Sequence, residues 1–210
     1  MGRYLKSSCK QCRREGMKLM LKGVRCETAK CPIEKKQRNL APGMHSWRRG
    51  RVSEYGVRLR EKQKVKRYYG LLNKQFMGYF HKAEKMKGNT GETLLQLLER
   101  RLDNVVYKLN FAPSRKAARQ LVSHGHLHVN GHKVDISDYT VKIGDRITLK
   151  ASEKSVKQVK RQLESNPSFT TQNWLQLDPG KPEATIVAMP TRDDIQLPVE
   201  EQLVVEFCSR

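Results

Sequence analysis

The sequence predicts an α+β protein whose small β-sheet follows two helices in the middle of the chain. Apolar residues recur at helical spacing from Leu94 to Val122, and they then alternate with polar residues from Leu127 to Leu149. Two pairs of cysteines come near the start of the chain, and a long basic stretch separates them from this region. We therefore expect a cysteine-rich N-terminal segment, a basic helical domain, and an inserted module of two helices with a small curled sheet.

The first helix of the module opens on a capping-box pattern, since Thr93 is followed three residues later by Gln96. Its apolar residues share one stripe at a period of 3.6 residues: Leu94, Leu98, Leu102, Val105 and Leu109. This spacing predicts a single helix with one buried face.

The second helix is predicted over Arg115 to His124, because Pro113 and Ser114 mark a helix start and Gly125 is placed to end it. We expect four apolar residues on its buried side: Ala117, Ala118, Leu121 and Val122. We expect its polar residues on the exposed side: Arg115, Lys116, Arg119, Gln120 and Ser123. Two arginines one turn apart near a positive helix N-terminus suit phosphate groups, so RNA is favoured over a merely solvated surface.

After Gly125 the pattern becomes that of half-buried strands. Asn130-Gly131 is a strong signal for a hairpin, and Gly144-Asp145 predicts a further turn. The apolar residues assigned to strands are Leu127, Val129, Val134, Ile136, Ile147 and Leu149. Two of the nearby histidines, His126 and His128, share a strand face, where we expect RNA or solvent in preference to a metal.

Charge is distributed unevenly along the chain, whose formal net charge is +21. Residues 1–90 contain 25 Lys and Arg against 6 Asp and Glu, whereas residues 161–210 contain 4 against 8. The first half therefore points to a polyanionic partner, and the acidic tail to a protein partner. No run approaches the ~18 apolar residues of a membrane span, and no apolar signal core is present, so we expect a cytoplasmic protein without membrane contact.

The four early cysteines follow the pattern C-x2-C-x13-C-x4-C: Cys9, Cys12, Cys26 and Cys31. Two close pairs separated by such a loop suit a tetrahedral thiolate site, so we expect one structural zinc ion in a zinc-ribbon-like segment. The neighbouring Arg13 and Arg14 would help to keep the sulfurs as thiolates. An iron–sulfur cluster and two disulfides remain alternatives, the disulfides being disfavoured inside a cell.

A basic, glycine-punctuated loop lies between Pro42 and Arg51 and includes Trp47. Its indole could stack on a base while neighbouring guanidinium groups hold phosphate, although a buried tryptophan with solvated flanks is the alternative. Residues 53–87 are predicted to form two amphipathic helices broken at Gly70, with polar faces suited to RNA. After them and the module we expect a polar helix over 152–165, short strands near Trp174–Leu177 and Ile186–Val187, and a last apolar segment at Leu203–Phe207.

Many motifs together carry a resemblance to a known family. Those in the module are Arg101-Leu102-Asp103, Ser114-Arg115, Ala118-Arg119-Gln120-Leu121-Val122, His124-Gly125-His126, Val129-Asn130-Gly131 and Gly144-Asp145. Those elsewhere are Arg13-Arg14-Glu15-Gly16, Ser53-Glu54-Tyr55-Gly56, Arg60-Glu61-Lys62-Gln63-Lys64, Gln75-Phe76 and Val204-Val205-Glu206-Phe207. The module resembles the RNA-binding module named after protein four of the small ribosomal subunit. Nearly the whole chain is similar to that ribosomal protein family.

The resemblance implies a primary binder of small-subunit ribosomal RNA that nucleates assembly and contributes to translational accuracy. It implies neighbouring ribosomal proteins as partners, with protein five at the accuracy interface, and messenger RNA near its entry path. The messenger-path residues would be Arg48, Arg49 and Arg51. Together with the basic clusters it nominates these rRNA-binding side chains: Arg3, Arg13, Arg14, Lys22, Arg58, Lys62, Lys64, Arg67, Arg101, Arg115, Lys116, Arg119, Gln120, His124 and His126.

Three positions depart from the residues usual in that family. Asn110 stands where glycine is usual, Ser137-Asp138 where Pro-Ser is usual, and Cys208 where an aromatic residue is usual. The first two could alter loop geometry, and Cys208 is expected to be packed in place of serving as a fifth metal ligand.

The expected domains are a zinc-binding segment at 1–45, a basic helical domain at 46–91, and an inserted domain at 92–197 that contains the RNA-binding module at 94–150. By resemblance, the end of the chain, about 198–210, returns to the helical domain. An organellar location stays open beside the cytoplasmic one.

We expect no enzyme activity. Arg101-Leu102-Asp103 is similar to a catalytic motif of pseudouridine synthases, but no separate catalytic domain fits in the chain. The sequence also has no phosphate-cradling glycine loop and no nucleophile with a plausible local base. The rival to a ribosomal role is a free RNA-binding protein or a zinc-dependent regulator that binds nucleic acid.

Overall fold

The α+β class is confirmed by a computed structural model, which describes residues 4–35, 38–45, 50–166, 169–178 and 181–209. The chain divides into two compact units. Unit 1 is Met1–Leu94 with Leu197–Arg210, and unit 2 is Leu95–Gln196. The boundaries expected from the sequence, after residues 91 and 197, lie within three residues of these divisions.

Helices make up the regular structure in the described residues of unit 1. They are α1 Ser8–Glu15, a short 3-10 helix Gly23–Cys26, α2 Glu54–Tyr68, α3 Asn73–Glu84, the first half of α4 Thr90–Glu99, and α8 Glu201–Cys208. Residues 4–35 and 38–45 contain no β-strand, and Cys9 and Cys12 lie on α1. The zinc-ribbon-like segment is therefore not confirmed.

The two helices expected over residues 53–87 are confirmed. Ser53 caps α2, since its Oγ accepts a hydrogen bond from the backbone N–H of Gly56 at 3.2 Å. The chain then reverses at Gly70, whose φ of 67° is the left-handed conformation that glycine adopts without strain. Val65 on α2 and Phe76 and Phe80 on α3 are buried.

The C-terminal segment forms α8 and packs on α2, inside unit 1. Arg58 Nε on α2 donates to Glu206 Oε2 at 2.6 Å, and the rings of Tyr55 and Phe207 lie 5.4 Å apart. The backbone N–H of Glu200 donates to a carboxylate of α2 at 3.4 Å. The apolar segment expected at 203–207 is thus a helix that returns to the N-terminal part of the chain.

Helix α4 begins at Thr90, three residues before the predicted cap. Asn89 caps it, because Asn89 Oδ1 accepts from the N–H of Gly91 at 3.0 Å and the Asn89 carbonyl accepts from Thr93 at 2.9 Å. The prediction of one continuous helix to Leu109 is wrong. Arg101 is extended (φ −66°, ψ 134°) and pairs with Thr140, so that a separate helix, α5, runs from Leu102 to Lys108.

Unit 2 combines helices with an antiparallel sheet. Its other elements are α6 Arg115–Ser123, β1 Leu127–Val129, β2 His132–Lys133, β3 Arg146–Leu149, α7 Glu153–Ser165, β4 Leu175–Leu177 and β5 Glu183–Ile186. The strand order over the described residues is β2-β1-β3-β5-β4. The strands predicted near 174–187 therefore extend the same sheet as the module, which the sequence pattern did not indicate.

The predicted hairpin at Asn130-Gly131 is confirmed, with φ of 51° and 82° at the two turn residues. Asp145 fixes the facing turn, because its carboxylate accepts from Asn130 Nδ2 at 2.9 Å and from the N–H of Lys142 at 2.7 Å. The strand predicted through Ile136 stops early, and this side chain is 58% exposed. The core beneath the sheet joins residues of α5, α6, α7 and the strands, with Trp174 fully buried.

Candidate nucleic-acid interface

Helix α6 has the ends that the sequence predicted. Ser114 Oγ accepts from the N–H of Ala117 at 3.3 Å, and Gly125, two residues after the last helical residue Ser123, turns the chain away with φ of 67°. Its buried residues are Arg115, Ala118, Leu121 and Val122. Its exposed residues are Lys116, Gln120 and Ser123, followed by the exposed His124.

Arg115 lies inside unit 2, so the expectation of an exposed Arg115 is wrong. Its Nε donates to Asn104 Oδ1 at 2.8 Å, and its guanidinium lies 4.4 Å from the ring centroid of Tyr107. The physical reason is helical geometry: Ala118 and Val122 follow Arg115 at spacings of three and seven, which is the same stripe of the helix. A buried guanidinium cannot contact RNA while the fold is intact.

Arg101 is also buried, and its guanidinium holds the break between α4 and α5. It donates to both carboxylate oxygens of Asp103, at 3.1 and 2.9 Å, and pairs with Asp138. Arg119 Nε lies 4.0 Å from the same Asp103 carboxylate and is only partly exposed. The nomination of Arg101 as an RNA contact is therefore corrected to a role inside the fold, since its side chain has no exposed surface.

The outer surface of the module is formed by the exposed face of α6 and the turn that follows. Lys116, Gln120 and His124 face outward, and His126 is held by Ser155, whose Oγ lies 2.9 Å from His126 Nδ1. The Lys133 side chain, which the sequence reasoning missed, packs against Gly125 at this surface. A Cβ on Gly125 would lie 2.3 Å from Lys133 Cε. The hairpin register, which puts Lys133 opposite His128, was the signal that could have found it.

In unit 1, two of the nominated basic residues of α2 are engaged with α8. Lys62 is buried, with its Nζ 4.9 Å from the ring centroid of Phe207 and 3.5 Å from Met77 Sδ. Arg58 bridges Glu54 and Glu206. Lys62 is thus corrected to a packing role. Arg58 joins α2 to α8 through an ion pair, but its side chain is partly exposed and it stays a predicted RNA contact.

The row formed by Arg60, Lys64 and Arg67 stays partly exposed on α2. Arg60 Nη1 lies 3.4 Å from Glu15 Oε1, Arg67 pairs with the same oxygen, and Lys64 pairs with Glu61. The Glu15 side chain is fully buried, and burial raises the pKa of its carboxyl even though Arg67 and Arg60 oppose that shift. This carboxylate anchors α1 to α2.

The four cysteines lie in unit 1, where Cys12, Cys26 and Cys31 are buried and Cys9 is partly exposed. Burial raises the pKa of Cys12, and the charges of the three other cysteines raise it further, so the sulfurs interact electrostatically. The N–H of Lys22 donates to Cys26 Sγ at 3.3 Å. Within the part of the chain that the structure describes, no three His, Cys, Asp or Glu side chains are arranged to hold a metal ion.

The remaining nominated residues divide by position. Arg14, Lys22 and Arg51 are exposed and Arg13 is partly exposed, whereas Arg3, Arg48 and Arg49 lie outside the described residues, as does Trp47. No helix in the described ranges is long and apolar enough to cross a membrane.

Comparison with known proteins identifies the family of this chain. Residues 3–99 match the model of the ribosomal protein S4/S9 N-terminal domain, and residues 100–147 match the S4 domain. The small ribosomal subunit protein uS4 of Halothermothrix orenii is 55% identical over 210 residues, which cover all of both chains. The uS4A protein of Alkaliphilus metalliredigens is 54% identical and the uS4 protein of a Thermoanaerobacter species is 52% identical, again over full length. The chain belongs to the ribosomal protein uS4 family.

The structure accounts for the three departures from the residues usual in the uS4 family. Asn110 adopts the left-handed conformation that glycine would take (φ 57°), and its Oδ1 accepts from Gln162 Nε2 at 3.2 Å. Asp138 supplies a carboxylate to the buried Arg101, while Ser137 is itself buried. Cys208 is packed inside unit 1, and burial raises the pKa of its thiol.

Proposed function

We propose that this chain is a structural constituent of the small ribosomal subunit, that it binds the subunit's ribosomal RNA, and that it is not an enzyme. The carrying observation is full-length identity of 50–55% to proteins named as small ribosomal subunit protein uS4. The formal charge of +21 supports an RNA partner, because neutralising phosphate releases counterions and favours binding.

The module contributes the outer surface around Lys116, Gln120, His124 and Lys133. This surface offers two cations, one amide group and one imidazole along the exposed face of α6 and on the neighbouring hairpin. Such a fixed arrangement suits phosphates and base edges of a folded RNA. Arg101 and Arg115 support this surface from inside unit 2.

The test compares folded small-subunit rRNA with duplex DNA of equal length at several matched salt concentrations. We expect the full chain to bind the rRNA at least tenfold more tightly at each salt concentration. Equal or tighter binding to the DNA would favour the rival, a free regulator that binds nucleic acid, and would contradict the ribosomal proposal.

A second proposal concerns the cysteines. Cys9, Cys12, Cys26 and Cys31 would hold one structural zinc ion, because two close pairs of cysteines match the ligands and the spacing that zinc prefers. Their side chains are not arranged around a metal in the described residues, so the four sulfurs would have to move together when zinc binds. The backbone donor at Cys26 would stabilise a thiolate. Bound zinc would supply a link between α1 and the segment around the 3-10 helix, and it would take no part in a reaction.

Metal analysis of the purified chain should find one zinc per molecule, and chelation should speed hydrogen exchange in residues 1–40 while unit 2 keeps its protection. Iron in place of zinc would favour the cluster alternative. Absence of any metal, or disulfides under reducing conditions, would overturn the proposal.

The messenger-path role rests on the family resemblance and on the charge of the loop before α2. Arg51 is exposed, which is consistent with a contact to messenger RNA. The same family resemblance supports our proposals that the chain contacts protein five, contributes to translational accuracy and is located in the cytoplasm. Ribosomes carrying Arg48, Arg49 and Arg51 as alanine should unwind structured messengers more slowly. Unchanged unwinding and unchanged decoding accuracy would contradict this role.

A further inference from the structure

A pocket of about 690 Å³ lies in unit 1 beside the end of α1. Its walls come from the last turn of α1, with Arg13 and Arg14, and from residues 39–45, with Asn39, Pro42, Met44 and His45. The volume is within the range of about 300–1,000 Å³ that is usual for pockets that bind small ligands.

The wall on the α1 side is held in place by the rest of unit 1. Gly16 ends α1 with φ of 70°, and its N–H donates to the carbonyl of Cys12. The buried Glu15 is bound by Arg60 and Arg67 from α2. These contacts fix where Arg13 and Arg14 stand, so the pocket is bounded on this side by an anchored helix end.

The charge of the pocket is positive. Among the described residues that line the pocket, Glu15 is the acidic one, and Arg60 and Arg67 already bind its carboxylate. Arg14 is exposed and forms no salt bridge with any residue in the described ranges. An anionic group of the ligand would therefore meet unopposed guanidinium charge on this side.

The wall formed by residues 39–45 offers different chemistry. Met44 is 88% exposed and lines the pocket together with Pro42, so this wall presents apolar surface whose contact with water is unfavourable. Asn39 is exposed and carries both a donor and an acceptor. Gly43 has φ of 134°, and no atom lies within 4 Å of the place where its Cβ would stand, so the backbone leaves this wall open.

Two guanidinium groups, apolar side chains and an amide that together line one pocket match the parts of one nucleotide. A phosphate fits the arginines, a base fits against Met44 and Pro42, and the base edge fits the amide of Asn39. Proteins that read single-stranded RNA commonly take bases out of the stack and place them against side chains in this way. An acidic peptide would use the arginines but would leave the apolar wall without a planar partner.

We propose that this pocket binds one unstacked nucleotide of an RNA strand. The proposal rests on the proposed function, because it assumes that RNA is the partner, and it adds a site on unit 1 that lies outside the RNA-binding module.

The test measures binding of the full chain to a ten-nucleotide single-stranded RNA and, separately, to folded small-subunit rRNA. Asn39→Ala and Arg14→Ala should each weaken binding of the single strand by about tenfold. Lys35→Ala is the matched control, since Lys35 is an exposed cation of the same unit outside the pocket, and it should change binding less than twofold. Circular dichroism checks that each variant is folded. If Arg14→Ala does not fold, Asn39→Ala alone still tests the proposal.

A second readout locates the base. RNA carrying 4-thiouridine should crosslink on irradiation to Met44 or His45, and the Asn39→Ala variant should lose most of that crosslink. Normal single-strand binding by both folded variants would overturn the pocket while leaving rRNA binding intact. Loss of rRNA binding by the wild-type chain would instead overturn the proposed function. If an acidic peptide of the same charge displaced the single-stranded RNA as well as unlabelled RNA does, the site would recognise negative charge and not a nucleotide, which would also overturn the proposal.

Discussion

Arg101 carries a fully buried guanidinium in unit 2, between the carboxylates of Asp103 and Asp138. Removing one partner of a buried ion pair leaves a charge without its counter-ion in a poorly solvated place. At the scale of single residues, this ion pairing and the Arg115–Asn104 hydrogen bond keep two arginines inside the fold. Only the basic side chains on the surface are then available to contact RNA.

Asp103→Ala should therefore lower the free energy of unfolding by about 3–5 kcal/mol, because it removes the bidentate partner of Arg101. Urea denaturation monitored by circular dichroism measures the loss. Asp135→Ala is the control, since Asp135 is exposed, and it should change stability by less than about 0.5 kcal/mol. A loss below about 1 kcal/mol for Asp103→Ala would mean that Asp138 alone satisfies the guanidinium.

Lys66 on α2 is a second residue whose surroundings lead to a prediction. Burial lowers the pKa of its ammonium from 10.5, and the like charges of Arg67, Lys62 and Arg60 lower it further. The native state therefore holds this proton less tightly than the unfolded chain does. Because the unfolded state binds more protons, the contribution of Lys66 to stability rises with pH in the window below 10.5.

Lys66→Met should thus be more stable than the wild type at pH 7, where the ammonium is charged in an unfavourable place. Its advantage should shrink as the pH approaches 10.5. Thermal unfolding at pH 7 and pH 10 measures the difference, with Lys74→Met as an exposed-lysine control that should show neither effect. An advantage that grows with pH would contradict the assigned direction of the pKa shift.

At the scale of elements, α6 carries Arg115, which stabilises the fold, and Lys116, which is exposed and available to contact RNA. Arg115→Ala should lower the free energy of unfolding by about 2–4 kcal/mol, because Asn104 loses a buried partner and Tyr107 loses a packed guanidinium. Lys116→Ala should leave stability unchanged and lower the slope of log K against log salt by about one unit. Denaturation and rRNA binding at four salt concentrations measure both quantities. A stable Arg115→Ala with a reduced slope would return Arg115 to the contact surface.

The sequence predicted local elements better than it predicted which residues they bury. The ends of α2 and α6 and the hairpin followed from Ser53, Ser114 and Asn130-Gly131, because caps and turns depend on neighbouring residues alone. The break at Arg101 could not be predicted, because it depends on Tyr139, whose carbonyl accepts from the N–H of Leu102 at 2.9 Å. The joining of β5 to β3 likewise comes from residues distant in sequence.

The candidate site shows the same limit. Its exposed members, Lys116, Gln120 and His124, followed from helical periodicity. The expectation that Arg115 is exposed was wrong. Its place on the apolar stripe fits the same period, but its burial depends on partners on another helix, Asn104 and Tyr107. Lys62 is comparable, because its ammonium lies over Phe207, 145 positions later in the chain. The number of exposed basic side chains is therefore smaller than the number of Lys and Arg residues in the sequence wherever buried partners such as Asn104 or Phe207 hold a basic side chain.

At the scale of the whole molecule, the chain enters unit 2 and returns, so that α8 completes unit 1. Val204 and Cys208 are buried on this helix, and Arg58 and Lys62 of α2 make contacts to Glu206 and Phe207. The contacts between α2 and α8 therefore stabilise unit 1, and we expect the stability of unit 2, which is inserted between them, not to depend on these contacts.

A chain ending at Glu200 should therefore lose protection from hydrogen exchange in α2 while β1 and β3 keep theirs, because α8 packs on α2 within unit 1. Binding to folded rRNA should weaken but persist, since the surface around Lys116 and Lys133 belongs to unit 2. The matched control is Glu206→Gln, which removes one ion pair, keeps the helix, and should change exchange in α2 only slightly. Equal loss of protection in both units of the shortened chain would show that they unfold as one cooperative body, and the insertion would then be a feature of topology without independent stability.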